Sequence, residues 1–138
     1  MRPNATLTIY LGEDDDDDAD LFSMALRECH PTFQAVRFNN GLEVVNSLIQ
    51  NAHPEPIVVF LDLMMPVLNG FDTLSQIRQL PDWADRPVFI LTGSERPADV
   101  DLAYQRGCNA FLTKPVSVQE LCRLIGPVIT YWLKILHK

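Results

Sequence analysis

Five side chains able to do chemistry together fall at the ends of four hydrophobic stretches. Glu13 and Asp14 close LTIYLGED, and Asp62 follows the apolar run Ile57 to Leu61 within PIVVFLDLMMP. Thr92 lies at the end of VFILTG, and Lys114 closes NAFLTKP before Pro115. Uncompensated burial of a carboxylate is costly, so Asp62 is expected at its strand's end, facing water or a cation. Glu13, Asp14 and Asp62 form a candidate cage for Mg²⁺ (or Mn²⁺), hard cations that prefer oxygen ligands. Carboxylates this close repel one another unless a cation relieves them, and that relief lets the Asp62 carboxylate act as a nucleophile. Thr92 can donate a hydroxyl hydrogen bond to a phosphoryl oxygen, and Lys114 supplies a point charge. Each residue alone has a bland reading, as a solvated acid, a structural threonine or a surface lysine. The set has what a phosphoaspartate needs, metal on one side with ammonium and hydroxyl on the other.

The acidic run Asp15 to Asp18 reads differently. Asp16, Asp17 and Asp18 are expected to be a hydrated helix start, favourable near the helix N-terminus. A calcium-loop reading fails: counting from Asp14, the sixth position is Ala19 rather than Gly and the twelfth is Ala25 rather than Glu. Cys29, Cys108 and Cys122 are odd in number, show no paired spacing, and are expected as small hydrophobes in a reducing cytosol. His30, His53 and His137 lie near turns or the terminus and carry no expected chemistry.

The elements that must position these residues alternate. Strands are expected at Leu7 to Leu11, Thr32-Phe33 to Phe38, Ile57 to Leu61, Val88 to Leu91 and Ala110 to Thr113. The intervening helices put Leu21, Phe22, Ala25, Leu26 and Cys29 inward, then Leu42, Val45, Leu48 and Ile49, then Phe71, Leu74 and Ile77. Ser94 is expected to cap the fourth helix and Gly107 to stop it, while Ser117 to Glu120 (SVQE) has the form of a capping box. Strands alternating with helices imply a parallel, doubly wound α/β sheet. Gly126-Pro127 interrupts the last apolar pattern, so a kink or a break is expected there. At 138 residues the chain is one domain, with 47% hydrophobic and 21% charged residues. No apolar run approaches the about 20 residues that span a bilayer, and Met1 to Thr6 lacks the apolar core of a secretion signal. A net charge of −7 disfavours nucleic-acid and anionic-membrane partners. A cytoplasmic location is therefore expected.

Residues 6 to about 126 resemble the receiver domain of two-component response regulators. The residues that carry the resemblance are the pair Glu13-Asp14, Asp62 within FLDLMMP, Asn69-Gly70, Thr92 within ILTG, and Lys114-Pro115 within FLTKP. The resemblance implies a flavodoxin-like (βα)₅ fold in which Asp62 accepts phosphoryl from a sensor histidine kinase or a histidine phosphotransfer protein. It further implies that Asp14, Asp62 and the backbone carbonyl of Met64 ligate the metal, with Glu13 acting through water. Thr92 and Phe111 would be the switch pair, and the Lys114–Pro115 peptide is expected to be cis. Phe111 stands where the family often has Tyr, so it offers no hydroxyl.

Three rival readings fit the residues less well. A haloacid-dehalogenase-type phosphohydrolase needs a second Asp two residues after the nucleophile, where this chain has Met64. A flavodoxin-like cofactor binder needs a Ser/Thr-rich phosphate loop after the first strand, which is missing. A phosphorylation-independent docking module is disfavoured by the intact set of acidic pair, Asp62, Thr92 and Lys114. The chain is thus expected to be a stand-alone receiver, a signalling switch rather than a metabolic enzyme, with residues 127–138 as a helical extension. Val128, Tyr131, Trp132, Ile135 and Leu136 recur at helical spacing in that extension. Short receivers that partner bacterial phytochromes look similar at this end and tend to dimerise through the last strand and helix. A homodimer through those elements is expected here, the alternative being that Pro127 bends the helix back and these residues pack on their own subunit.

Overall fold

Alternation along each strand sorts the apolar side chains onto two faces, and each face collects its own core. In the computed structural model, which describes residues 7–50 and 56–136, five strands and five helices alternate. They are β1 (Thr8–Gly12), α1 (Asp16–Cys29), β2 (Ala35–Phe38), α2 (Gly41–Gln50), β3 (Ile57–Leu61), α3 (Gly70–Arg78), β4 (Val88–Thr92), α4 (Pro97–Gln105), β5 (Ala110–Thr113) and α5 (Val118–Leu136). The sheet is parallel throughout, in the order β2-β1-β3-β4-β5. The expected flavodoxin-like (βα)₅ architecture is therefore present.

One face holds Tyr10, Val59, Leu61, Val88 and Ile90 against α2 and α3 residues such as Val44, Leu48, Leu74 and Ile77. The other holds Ile9, Leu11, Val58, Phe60, Phe89 and Leu91 against α1 and α5, through Phe22, Leu26, Leu121, Ile125 and Ile129. Covering both faces is what lets the central strands be apolar at every position. Phe111 packs against the first of these cores and belongs to its partly buried margin.

Gly70 fixes how α3 meets the site. A Cβ there would lie 2.4 Å from the Asp62 carbonyl oxygen and 2.8 Å from Leu63 Cα, so only glycine lets the helix start against that backbone. Asn69 caps the helix by accepting from the Asp72 N–H at 2.9 Å. Gly107 (φ +101°) stops α4 in the left-handed region, as expected.

Several local expectations are corrected. α2 buries Val44, Val45 and Leu48, whereas Leu42 and Ile49 are exposed. Ser94 does not cap α4, whose N-cap is Arg96 with no side-chain cap; Ser94 Oγ donates instead to Asp99 Oδ2 at 2.6 Å. The capping box at α5 is half formed: Ser117 Oγ accepts from Glu120 N–H at 3.1 Å and donates to Glu120 Oε1 at 3.2 Å. Of the kink or break expected at Pro127, the break does not occur, and α5 runs through it as one helix. Leu121, Ile125 and Ile129 are buried at four-residue spacing across the proline, and that stripe packs on the α1 side of the sheet. Packing of a continuous stripe outweighs one missing N–H, even though an internal proline costs about 3 kcal/mol. His30 reinforces the junction: its Nε2 lies 3.2 Å from the Gly126 carbonyl oxygen and 3.2 Å from Thr130 Oγ1. His53 and His137 lie outside the described residues.

Candidate functional site

The parallel sheet brings the C-terminal ends of β1, β3, β4 and β5 to one edge, where α/β folds of this kind hold ligands. The β1–β3 ladder continues one residue past β3, Asp62 N–H donating to the Gly12 carbonyl at 2.9 Å. That bond fixes the Asp62 backbone before its side chain does anything. The β4–β5 ladder likewise continues through Lys114 N–H to the Thr92 carbonyl at 2.8 Å, which sets these two residues side by side.

Lys114 is the centre of the site. Its Nζ lies 2.8 Å from Asp62 Oδ2, 2.6 Å from Glu13 Oε1 and 2.7 Å from Asp18 Oδ2. Asp62 is 7% exposed and Glu13 2%, so neither carboxylate is simply hydrated. Burial pushes the Glu13 carboxyl up to about 7; Lys114 pulls it back and Asp62 adds to the push. Burial also works against the Lys114 ammonium, but hydrogen bonds to Asp18, Asp62 and Glu13 outweigh it and hold the amine above the ordinary lysine range. Met64 N–H approaches Asp62 Oδ1 at 3.4 Å. Thr92 is 1% exposed, and its Oγ1 accepts from Ser94 N–H at 3.5 Å.

Among the described residues, carboxylate oxygens of Glu13, Asp18 and Asp62 lie within 4.8 Å of one another. Hard oxygen donors at that spacing fit a divalent cation such as Mg²⁺ or Mn²⁺. Asp14 is exposed and stands outside that group of three, whereas Glu13 belongs to it. The acidic run also departs from expectation. Asp15 is the N-cap of α1, Asp16 pairs with Arg37 at 2.7 Å, and Asp18 reaches Lys114, so only Asp17 is left as plain helix start. Asp18 precedes Phe22 and Ala25 by four and seven residues, on the inward face of α1, a spacing that could have revealed it. Arg37 also donates through Nε to the Glu13 carbonyl at 2.9 Å, holding the end of β1. The expected cis peptide at Pro115 is likewise corrected, since no cis bond occurs among the described residues. Trans is the ordinary preference even before proline, and it already carries the Lys114 amine to Asp62.

A doubly wound parallel sheet with a buried acid, a lysine and a threonine at its carboxyl edge defines a flavodoxin-like α/β domain with a charged site at that edge. The chain belongs to the response regulator receiver domain family, whose model matches residues 9–126. It is a receiver domain of two-component signalling. It is similar to response regulator Rcp1 of Synechocystis sp., 29% identical over 135 residues that cover 95% of this chain and 92% of that protein. The structure of manganese-bound Rcp1 superposes with a TM-score of 0.77 at 29% identity, covering 91% of this chain and 94% of that one. The phosphorylated cyanobacterial phytochrome response regulator RcpA gives 0.81 at 26% identity, covering 91% and 93% of the two chains. Bacteriophytochrome response regulator RtBRR gives 0.72 at 31% identity, covering 87% of this chain and 76% of that one. The family implies a histidine kinase or phosphotransfer partner and a divalent metal, and the acidic cluster here fits such an ion. No helix among the described residues is long and apolar enough to cross a membrane.

Proposed function

We propose that the chain, as a single receiver domain with a helical extension, is a phosphorylation switch whose acceptor is Asp62. A phosphohistidine on a sensor kinase or phosphotransfer protein is the donor. The observation that carries this is the Asp62 carboxylate, nearly buried yet held 2.8 Å from a lysine amine at the sheet's open edge. An Asp62 oxygen attacks phosphorus, the new P–O bond forms as the P–N bond breaks, and the departing imidazole nitrogen takes up a proton from water. Mg²⁺ or Mn²⁺ would be held by Asp14, Asp62 and the Met64 backbone carbonyl, with Glu13 acting through water, and would neutralise the charge of the phosphoryl oxygens. Lys114 supplies a positive charge to one phosphoryl oxygen, and the Thr92 hydroxyl donates to another.

Phosphorylation replaces the single negative charge of the Asp62 carboxylate with nearly two, spread over the phosphoryl oxygens. Thr92 and Lys114 respond to that charge, and Phe111 repacks beside them at the margin of its core. The α4–β5–α5 face is then the surface that changes affinity for a partner. We include a second copy of the chain among those partners, through β5 and α5. β5 is a half-exposed edge strand, and Tyr131 is 58% exposed on α5. The support is narrower than the sequence suggested, because Val128, Trp132 and Leu136 already pack against the chain's own α1–α5 core.

Transfer from a radiolabelled, autophosphorylated histidine kinase tests the reading. The kinase should lose its label to the wild-type chain and retain it with Asp62→Asn. Equal transfer to both proteins would remove Asp62 from the mechanism.

A further inference from the structure

We propose that Asp18 is a positioning residue for Lys114, the partner that keeps the amine over the site while its other two partners are engaged in chemistry. The inference rests on the reading of Asp62 as phosphoryl acceptor. An ammonium has three N–H donors. Here three carboxylates surround it, with oxygens of Glu13 at 2.6 Å, Asp18 at 2.7 Å and Asp62 at 2.8 Å from Nζ.

Two of those partners have other work. Once phosphorylated, Asp62 presents an ester oxygen in place of one carboxylate oxygen, and Lys114 must then turn to the phosphoryl group. Glu13 is buried beside Asp62 and shares its oxygen cluster, so a cation entering that cluster competes with the amine for it. Asp18 contributes an oxygen to the same cluster but differs from both in its setting. Its side chain is 42% exposed at the rim, and it comes from the first turn of α1 rather than from a strand end. That turn is capped, the Asp18 N–H donating to the N-cap carboxylate of Asp15 at 2.9 Å. Phe22, one turn on, is buried between α1 and the sheet and anchors the same face. Lysine carries its charge on a flexible four-carbon stem that otherwise prefers hydration. A fixed carboxylate on the side away from Asp62 restricts the stem to the arc over the acceptor.

The test is a double-mutant cycle on phosphorylation by acetyl phosphate at saturating Mg²⁺, read by intact mass. Wild type, Asp18→Asn, Lys114→Ala and the double variant are compared, with beryllofluoride affinity measured on the same four proteins. Asp18→Asn should slow labelling about tenfold, the loss of one charge-assisted contact, while Asp18→Glu recovers part of the rate. In the Lys114→Ala background the Asp18→Asn change should cost less than about twofold, because the residue acts through the amine. A merely structural role would slow both backgrounds equally and overturn the proposal. Recovery of the Asp18→Asn rate at raised Mg²⁺ would also overturn it, by making Asp18 a metal ligand, as would an unchanged rate. Failure of the wild type to label would instead refute the acceptor reading.

Discussion

The backbone N–H of Phe111 donates to the Tyr104 hydroxyl at 3.1 Å, so the outer edge of β5 is tied to α4 by a side chain. An edge strand normally leaves such groups open to another chain. Here the bond joins the proposed switch residue to the helix flanking it. Beryllofluoride should therefore shift the Phe111 amide resonance in wild type. The shift should be lost in Thr92→Ala, even though Asp62 still binds the mimic. Tyr104→Phe should speed exchange of the same amide and cost about 0.5–1.5 kcal/mol. An unaltered Phe111 shift in Thr92→Ala would show that Thr92 does not drive this face.

Glu13 gives the metal-free protein a pH dependence. Its carboxyl is raised by burial from 4.5 to about 7, so the folded chain holds a proton that the unfolded chain has released. The resulting stability is fully present below about pH 4.5 and is lost as pH rises through about 7. The loss is at most about 3 kcal/mol. Chelator-treated protein should thus melt at lower temperature at pH 8 than at pH 5.5, and Glu13→Gln should flatten that trend. An equally steep trend in Glu13→Gln would assign it to other groups.

The α5 extension bears on both stability and assembly. Ile129 is fully buried, and Val128, Trp132, Leu133 and Leu136 pack partly on the same core. Truncation after Gly126 removes that cover and should destabilise the fold by several kcal/mol, at about 1.5–3 kcal/mol for each fully buried side chain. A point change at the surface is the cleaner probe of dimerisation. Light scattering should find the full chain dimeric and Tyr131→Glu shifted to monomer. A monomeric full chain, with or without beryllofluoride and well above micromolar concentration, would remove the dimer.

The three central strands were legible in the sequence because burial on both faces demands unbroken apolar runs, and Asp62, Thr92 and Lys114 were legible as chemistry-bearing residues at strand ends. What the sequence hid depends on contacts between distant elements. Asp18 looked like one more solvated acid, and its partner lies 96 residues away. In α2, the neighbours Val44-Val45 and Leu48-Ile49 fit a helical stripe in more than one way, and packing chose Val44 over Ile49. Pro127 promised a break that the buried stripe on either side overrides. Tyr104 gave no local sign of its role, since its hydroxyl meets Phe111 only after Gly107 has turned the chain back into β5.

Labelling of the purified chain by acetyl phosphate, followed by intact mass and peptide mapping, tests the central claim most directly. One phosphoryl group should appear on Asp62 in the presence of Mg²⁺, and none in excess chelator or in Asp62→Asn. Labelling of Asp62→Asn to the wild-type extent, or undiminished labelling in chelator, would contradict the account.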